Sequence, residues 1–344
     1  MTKPRIFVVQ PIPEEGLAML REVGEVEVFE SDRMISRDEL KAGLRRSDYL
    51  FTLGDTTIDD DILDANPDLK GIAAMSMLLN VIDIPAATRR GIPVTNIPHV
   101  IGRTTCDLTM AILLGLAWRI VEADAFTRAG RFRQEQSMSL MCHSITGKTV
   151  GIIGLGEIGQ HIALRCRAFE MDVIYNKRTR LDPVNEAELG VAWRDDMDDV
   201  FREADFLVVM AKYTEETHLM IGERQFDLMK PSAFFINTAR GRIVDEPALV
   251  KALQDGKIAG AGLDVYWCEP PVGEPAPSPE LLTMPNVILT PHIGSATWDS
   301  RRQMAQLCAR NIVAMIAGER PPDLMDESVY EVRRSGALTQ IGTP

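Results

Sequence analysis

Three polar residues in the second half of this chain have side chains that could do chemistry together. They are Arg240 in Asn237-Thr238-Ala239-Arg240-Gly241, Glu269 in Cys268-Glu269-Pro270-Pro271, and His292 in Pro291-His292-Ile293-Gly294-Ser295. All three lie downstream of one glycine-rich turn, Gly154-Leu155-Gly156-Glu157-Ile158-Gly159. The turn alone says only that a nucleotide can bind. An arginine, a carboxylate and a histidine after it supply the parts for moving a hydride to or from a 2-keto acid. That reaction needs the acid's carboxylate gripped, its carbonyl polarised and a proton delivered to the developing alkoxide. The planar fork of Arg240 matches adjacent carboxylate and carbonyl oxygens. His292 can give a proton in reduction and take one in oxidation. Glu269 is its natural partner, because a carboxylate hydrogen-bonded to an imidazolium stabilises it and fixes its orientation.

Residues of this kind need strands to position them. Arg240 follows an apolar run at 233–236 and His292 follows another at 287–289. Both are therefore expected at the carboxyl end of a sheet, where open α/β sheets bind ligands. Further strands are expected at 6–9, 26–29, 49–52, 71–74 and 92–94, and in a second series at 149–153, 172–175, 206–209 and 260–265. Helical patterns fall between them at 14–23, 37–45 and 59–65, then over one long stretch, 104–129, and again at 160–169 and 298–317. The alternation is that of an α/β protein with parallel sheets. A less regular segment covers 130–147, and the tail from Pro321 reads as irregular.

The run 149–153 leads straight into Gly154-x-Gly156-x-x-Gly159 and a helix follows, the context a dinucleotide fingerprint requires. The helix start offers unpaired N–H groups to the phosphates. In an NAD enzyme an acidic residue should close the next strand and bind the adenosine ribose. Here that strand ends Asn176-Lys177-Arg178-Thr179-Arg180, with no carboxylate before Asp182. Arginine can grip a 2′-phosphate bidentately. The expected cofactor is therefore NADP, with NAD as the alternative, and Lys212 can add to the same cationic patch.

Composition narrows the class. A length of 344 residues suits two domains, and 45% hydrophobic residues supply a sizeable core. With 37 Lys and Arg against 50 Asp and Glu, the net charge is −13, which argues against a nucleic-acid surface and for small-molecule ligands. The five cysteines are scattered, with no Cys-x-x-Cys pair, as expected in a reducing cytosol. The first apolar run is too short for a signal peptide or a membrane span. The five histidines lack metal-ligand spacing, so no metal is expected.

In this order, these stretches resemble the D-isomer-specific 2-hydroxyacid dehydrogenase family, particularly its glyoxylate/hydroxypyruvate reductases. The matching stretches run from Gly151 to Gly159, Met229 to Ala233, Asn237 to Gly241 and Gly260 to Val265, with Glu269-Pro270 and Pro291 to Gly294. The resemblance covers about residues 5 to 320. It implies two doubly wound parallel-sheet domains with an active site in the cleft between them. A flavodoxin-like substrate domain would comprise 1–99 and 297–330, and a Rossmann cofactor domain 100–296, leaving 331–344 as a tail. It implies a homodimer formed through 104–147. It makes Arg240, Glu269 and His292 the catalytic set, puts Asp264 and Thr104 by the nicotinamide, and lines the cofactor with Thr238, Ala239 and Gly294. Glu269 also argues against the formate dehydrogenase branch, which carries glutamine there.

Two departures stand out. The family's Gly-Val-Gly before Asn80 is Ser76-Met77-Leu78 here, followed by Leu79. This substrate-binding stretch loses its freedom for positive φ and gains bulk, which implies a more apolar or unusual substrate. The family's His-x-Pro is Met210-Ala211-Lys212, which implies an altered adenine pocket. Two other readings share the same residues: a dinucleotide-sensing corepressor-like binding protein, and an oxidoreductase of this fold with a substrate other than a hydroxy acid.

Overall fold

Short apolar runs alternating with amphipathic stretches build two parallel sheets, one in each of two compact units. The first unit comprises residues 1–100 and 296–344, the second 101–295. The computed structural model describes residues 3–31, 33–77, 79, 81–97, 102–133, 138–269 and 276–334.

In the first unit the strands are β1 (Arg5–Val8), β2 (Glu25–Val28), β3 (Tyr49–Leu53), β4 (Gly71–Met75) and β5 (Val94–Thr95). They pair in the order β2-β1-β3-β4-β5, all parallel, the flavodoxin-like arrangement. Helices α1 (Glu14–Val23), α2 (Arg37–Leu44), α3 (Asp60–Leu63) and α4 (Ile84–Arg89) connect them. β4 is buried along its whole length, as a strand covered on both faces must be. The start of α2 is set by a Ser-x-x-Glu capping box, with Ser36 and Glu39 each accepting the other's backbone N–H.

The second unit opens with α5 (Gly102–Ala117) and α6 (Ile120–Arg128). Its strands are β6 (Thr149–Ile153), β7 (Asp172–Asn176), β8 (Val191–Trp193), β9 (Phe206–Val209), β10 (Phe234–Asn237), β11 (Gly260–Leu263) and β12 (Val287–Leu289). Among them run α7 (Glu157–Ala168), α8 (Pro183–Leu189), α9 (Met197–Glu203), α10 (Glu223–Leu228) and α11 (Glu246–Gln254). The order is β12-β11-β10-β9-β6-β7-β8, again all parallel. Two apolar clusters sandwich the sheet, one around Phe201, Phe226 and Phe235, the other around Cys166, Tyr175 and Phe206. The strand order reverses between β6 and β9, so their carboxyl ends flank the crevice where such sheets take ligands. The chain then rejoins the first unit as α12 (Trp298–Ile316) and α13 (Val329–Arg334).

Two expectations need correction. The helix expected over 104–129 is two helices bent by 61°. Arg119 breaks it by adopting a left-handed backbone (φ 48°), with its guanidinium on the Glu122 carboxylate at 2.8–2.9 Å. The apolar pattern runs through the break because Trp118, Ile120 and Val121 are exposed apolar residues. The tail is also not wholly irregular: α13 forms in it, and Val329 is buried. Among the described residues no single helix is long and apolar enough to cross a membrane.

Candidate active site

The glycine turn leaves β6 with Gly154 at φ 95°, a conformation that side chains disfavour. A Cβ there would also fall 2.6 Å from the backbone of Ala211, just past β9. The turn is thus wedged between the two strands that define the switch point. One on Gly159 would meet the Gly154 carbonyl at 2.7 Å, so α7 starts in close contact with the turn. In front of Gly156 there is open space, and this N-cap residue gives α7 no side-chain cap. A helix start beside open space fits a dinucleotide pyrophosphate. Glu157 is exposed in the first turn of α7, while Ile158 packs toward the apolar cluster.

The cations after β7 have unequal surroundings. Lys177 turns back so that Nζ donates to the Leu155 carbonyl of the glycine turn (3.3 Å). Arg178 points into solvent and, among the described residues, meets only Glu216, at 3.4 Å. Arg180 is committed elsewhere. Its Nε and Nη2 bind the Glu186 carboxylate at 2.9 and 2.8 Å, and its guanidinium lies over the Trp193 ring. Asn176 is committed as well: its amide donates to the carbonyls of Arg194 and Asp195. Lys212, beyond β9, is exposed.

The polar residues farther along come together at the carboxyl ends of β10, β11 and β12. Nδ1 of His292 lies 2.6 Å from Oε2 of Glu269. The other oxygen of Glu269 accepts the backbone N–H of Tyr266. His292 is held at φ 51°, a left-handed conformation that costs about 1–3 kcal/mol and persists only when its surroundings enforce it. Asp264 enforces it. Its buried carboxylate accepts the Thr290 hydroxyl (2.6 Å), the Ile293 N–H (2.8 Å) and the Gly294 N–H (3.0 Å), gripping the turn on both sides of His292. The Asp264 oxygens are therefore engaged by protein donors.

Arg240 lies half-buried after β10, its Nη1 donating to the Ala239 carbonyl (2.6 Å). Burial lowers its pKa from the ordinary arginine value, and the Glu269 charge opposes that shift. The turn that carries it is braced by Asn237, whose amide donates to the Arg240 carbonyl and whose oxygen accepts the Ala239 N–H, both at 3.0 Å. Thr238 is buried and shares a 2.8 Å hydroxyl contact with Thr109 of α5. Thr109 in turn donates to the Thr105 carbonyl, and the Thr105 hydroxyl donates to Gly294. Thr104 is half-buried in the first turn of α5. Sequence reasoning passed over Asn237, Thr105, Thr109 and Thr290. The available signals were a polar residue closing an apolar strand and two threonines spaced i, i+4 on one helix face.

In the first unit, Met77 follows β4 half-buried, its carbonyl accepting the Asn96 amide (3.1 Å). Leu79 buries its side chain in that unit's core, so only its backbone is left to meet a ligand. Leu78 lies outside the described residues. Among the described residues no group of three or more His, Cys, Asp or Glu could hold a metal.

The family described as D-isomer specific 2-hydroxyacid dehydrogenase, NAD binding domain, matches residues 110–294. A glyoxylate reductase of Thermococcus gammatolerans is 44% identical over 97% of this chain and 99% of its own length. One of Pyrococcus furiosus is 42% identical over 97% of this chain and 98% of its own. The NADPH-dependent glyoxylate/hydroxypyruvate reductase of Sinorhizobium meliloti, solved with NADP and malonate, superimposes with a TM-score of 0.78. It is 32% identical, and the match spans 95% of this chain and 98% of that one.

Proposed function

The chain belongs to the D-isomer specific 2-hydroxyacid dehydrogenase family, and from that premise we propose an NADPH-preferring reductase of small 2-keto acids, with glyoxylate and hydroxypyruvate as first substrates. The 2.6 Å contact between His292 Nδ1 and Glu269 carries this reading. It engages one ring nitrogen and leaves Nε2 to pass a proton to the substrate's carbonyl oxygen. The Arg240 guanidinium grips the substrate carboxylate and polarises the adjacent carbonyl. Half-burial strengthens that grip, since charges interact more strongly away from water. A nicotinamide dinucleotide, when bound, supplies the hydride for the carbonyl carbon. Gly154, Gly156 and Gly159 would receive its pyrophosphate. In the reverse direction Nε2 takes the hydroxyl proton of a D-2-hydroxy acid.

Preference for NADP is supported by Lys177 and Arg178 beside the glycine turn, by the lack of a carboxylate closing β7, and by the NADP-bound relative. A homodimer is supported by α6, none of whose residues is buried. Free cysteines support a cytosolic setting.

The test follows oxidation of NADPH and NADH in parallel against glyoxylate, hydroxypyruvate, pyruvate and a bulky aryl keto acid. Fast NADPH oxidation with the small acids is expected. Arg178→Ser should raise KM for NADPH about tenfold and leave NADH unchanged, as loss of one charge-assisted phosphate contact predicts. Cofactor binding without turnover of any acid would overturn the enzyme reading and favour a dinucleotide sensor.

A further inference from the structure

The six residues after Arg240 do more than continue the chain. Gly241 backs directly onto the Tyr266 carbonyl, where a side chain could not fit. Nε of Arg242 donates to the Trp267 carbonyl (3.2 Å), and the guanidinium lies over the Trp267 ring, 5.6 Å from its centroid. Glu246 sits in the first turn of α11, yet the helix does not use its carboxylate: Asp245 already caps α11 by accepting the Ala248 N–H (3.2 Å). One oxygen of Glu246 instead accepts the Trp267 N–H (3.1 Å) and the other the Ser278 N–H (3.0 Å). These two points of the chain flank Glu269. A single carboxylate thus accepts N–H groups from a residue before Glu269 and a residue after it in the chain.

We propose that Glu246 and Arg242 are positioning residues that hold Glu269 against His292. The proposal rests on the role given above to the Glu269–His292 pair. The clamp belongs to the stretch that also carries Arg240, so the residue assigned the carboxylate grip and the brace on the chain around Glu269 are close neighbours in sequence. Among the described residues, the charged and titratable groups about the His292–Glu269 pair are Asp264 beneath the turn of His292, Tyr266 beside Asp264 and Glu269, and Arg240, whose charge acts on Glu269. Among the described residues neither Glu246 nor Arg242 is hydrogen-bonded to His292; both bind the backbone of Trp267, two residues before Glu269.

The test compares Glu246→Ala, Glu246→Gln and Arg242→Met, each alone and combined with Glu269→Gln. Arg242 is exposed, so Arg242→Met keeps the question answerable even if a Glu246 variant fails to fold. The expected result is a kcat reduced about tenfold or more with both KM values within twofold, as small misplacements of a reacting group produce. In the Glu269→Gln background the same changes should cost nothing further, because residues acting through one another are not additive. Additive losses, or a loss confined to KM, would overturn the proposal. A slow Glu269→Gln protein beside full-speed clamp variants would overturn the clamp alone. A full-speed Glu269→Gln protein would overturn the role of Glu269 and the clamp with it.

Discussion

His292 combines two constraints that pull against each other. Its left-handed backbone is unfavourable, and Asp264 offsets that by accepting three donors from the same turn. Hydrogen bonds to a charged acceptor contribute about 1.5–3 kcal/mol each, enough to hold the turn. The imidazole is thereby aimed before any ligand arrives, and Glu269 fixes which nitrogen faces outward. His292→Ala should lower kcat about 10²–10⁴-fold, the usual contribution of a positioned acid–base group. NADPH binding, read by quenching of protein fluorescence, should be unchanged. A folded variant that no longer binds NADPH would instead put His292 in the cofactor site. These residues were legible in the chain because each closes or follows an apolar run within a distinctive local context. Asn176 and Arg180 show the limit of that reading. Position and charge nominated both for the ribose, but only folded geometry reveals that Asn176 spends its amide on Arg194 and Asp195, and Arg180 its guanidinium on Glu186.

Among the elements, the β7–α8 connection is braced by a polar cluster built on the buried Tyr175 and Glu186. The Tyr175 hydroxyl donates to Glu186 (2.5 Å) and accepts the Leu181 N–H (3.0 Å), while Arg180 closes on the same carboxylate. Arg180 and Tyr175 hold Glu186 down at about 2, below the usual glutamate value, and burial pushes the Tyr175 phenol up to about 12. A carboxylate with a depressed folded-state pKa stabilises the protein above its unfolded value and loses that contribution as pH falls through the folded one. Glu186→Gln should therefore unfold at lower temperature than the parent at pH 7. The gap should narrow between about pH 4.5 and about pH 2, as thermal denaturation across that range would record. A gap that stayed constant would mean the ionised carboxylate is not what stabilises the loop. Most strands and long helices were legible from apolar runs and their alternation. β8 was not: it is a short strand at the sheet edge that follows α8 after Gly190, and only Val191 of it is buried. The break at Arg119 was hidden because exposed apolar residues on either side continue the helical pattern.

For the molecule as a whole, α6 is the clearest sign of an unfinished surface. Trp118, Ile120, Val121 and Met141 are each more than half exposed, and apolar patches of this kind mark association sites. If the proposed homodimer buries this face, Val121→Asp should give a monomer by sedimentation velocity where the parent gives a dimer. A variant that stays dimeric would move the interface elsewhere. The chain's sequence by itself determined the class of fold and the dinucleotide turn, and it singled out the three polar residues proposed to handle a 2-keto acid. These are local properties: strand period, turn glycines and side-chain chemistry are written in contiguous residues. Only the tertiary structure decided which polar groups remain available. Asp264 is engaged by Thr290, Ile293 and Gly294, Glu246 by Trp267 and Ser278, and Leu79 by a core. A hydrogen bond or a packing contact is satisfied by whatever the fold brings near, and the hydrogen-bond partners of Asp264 and Glu246 lie 21 to 32 residues away along the chain.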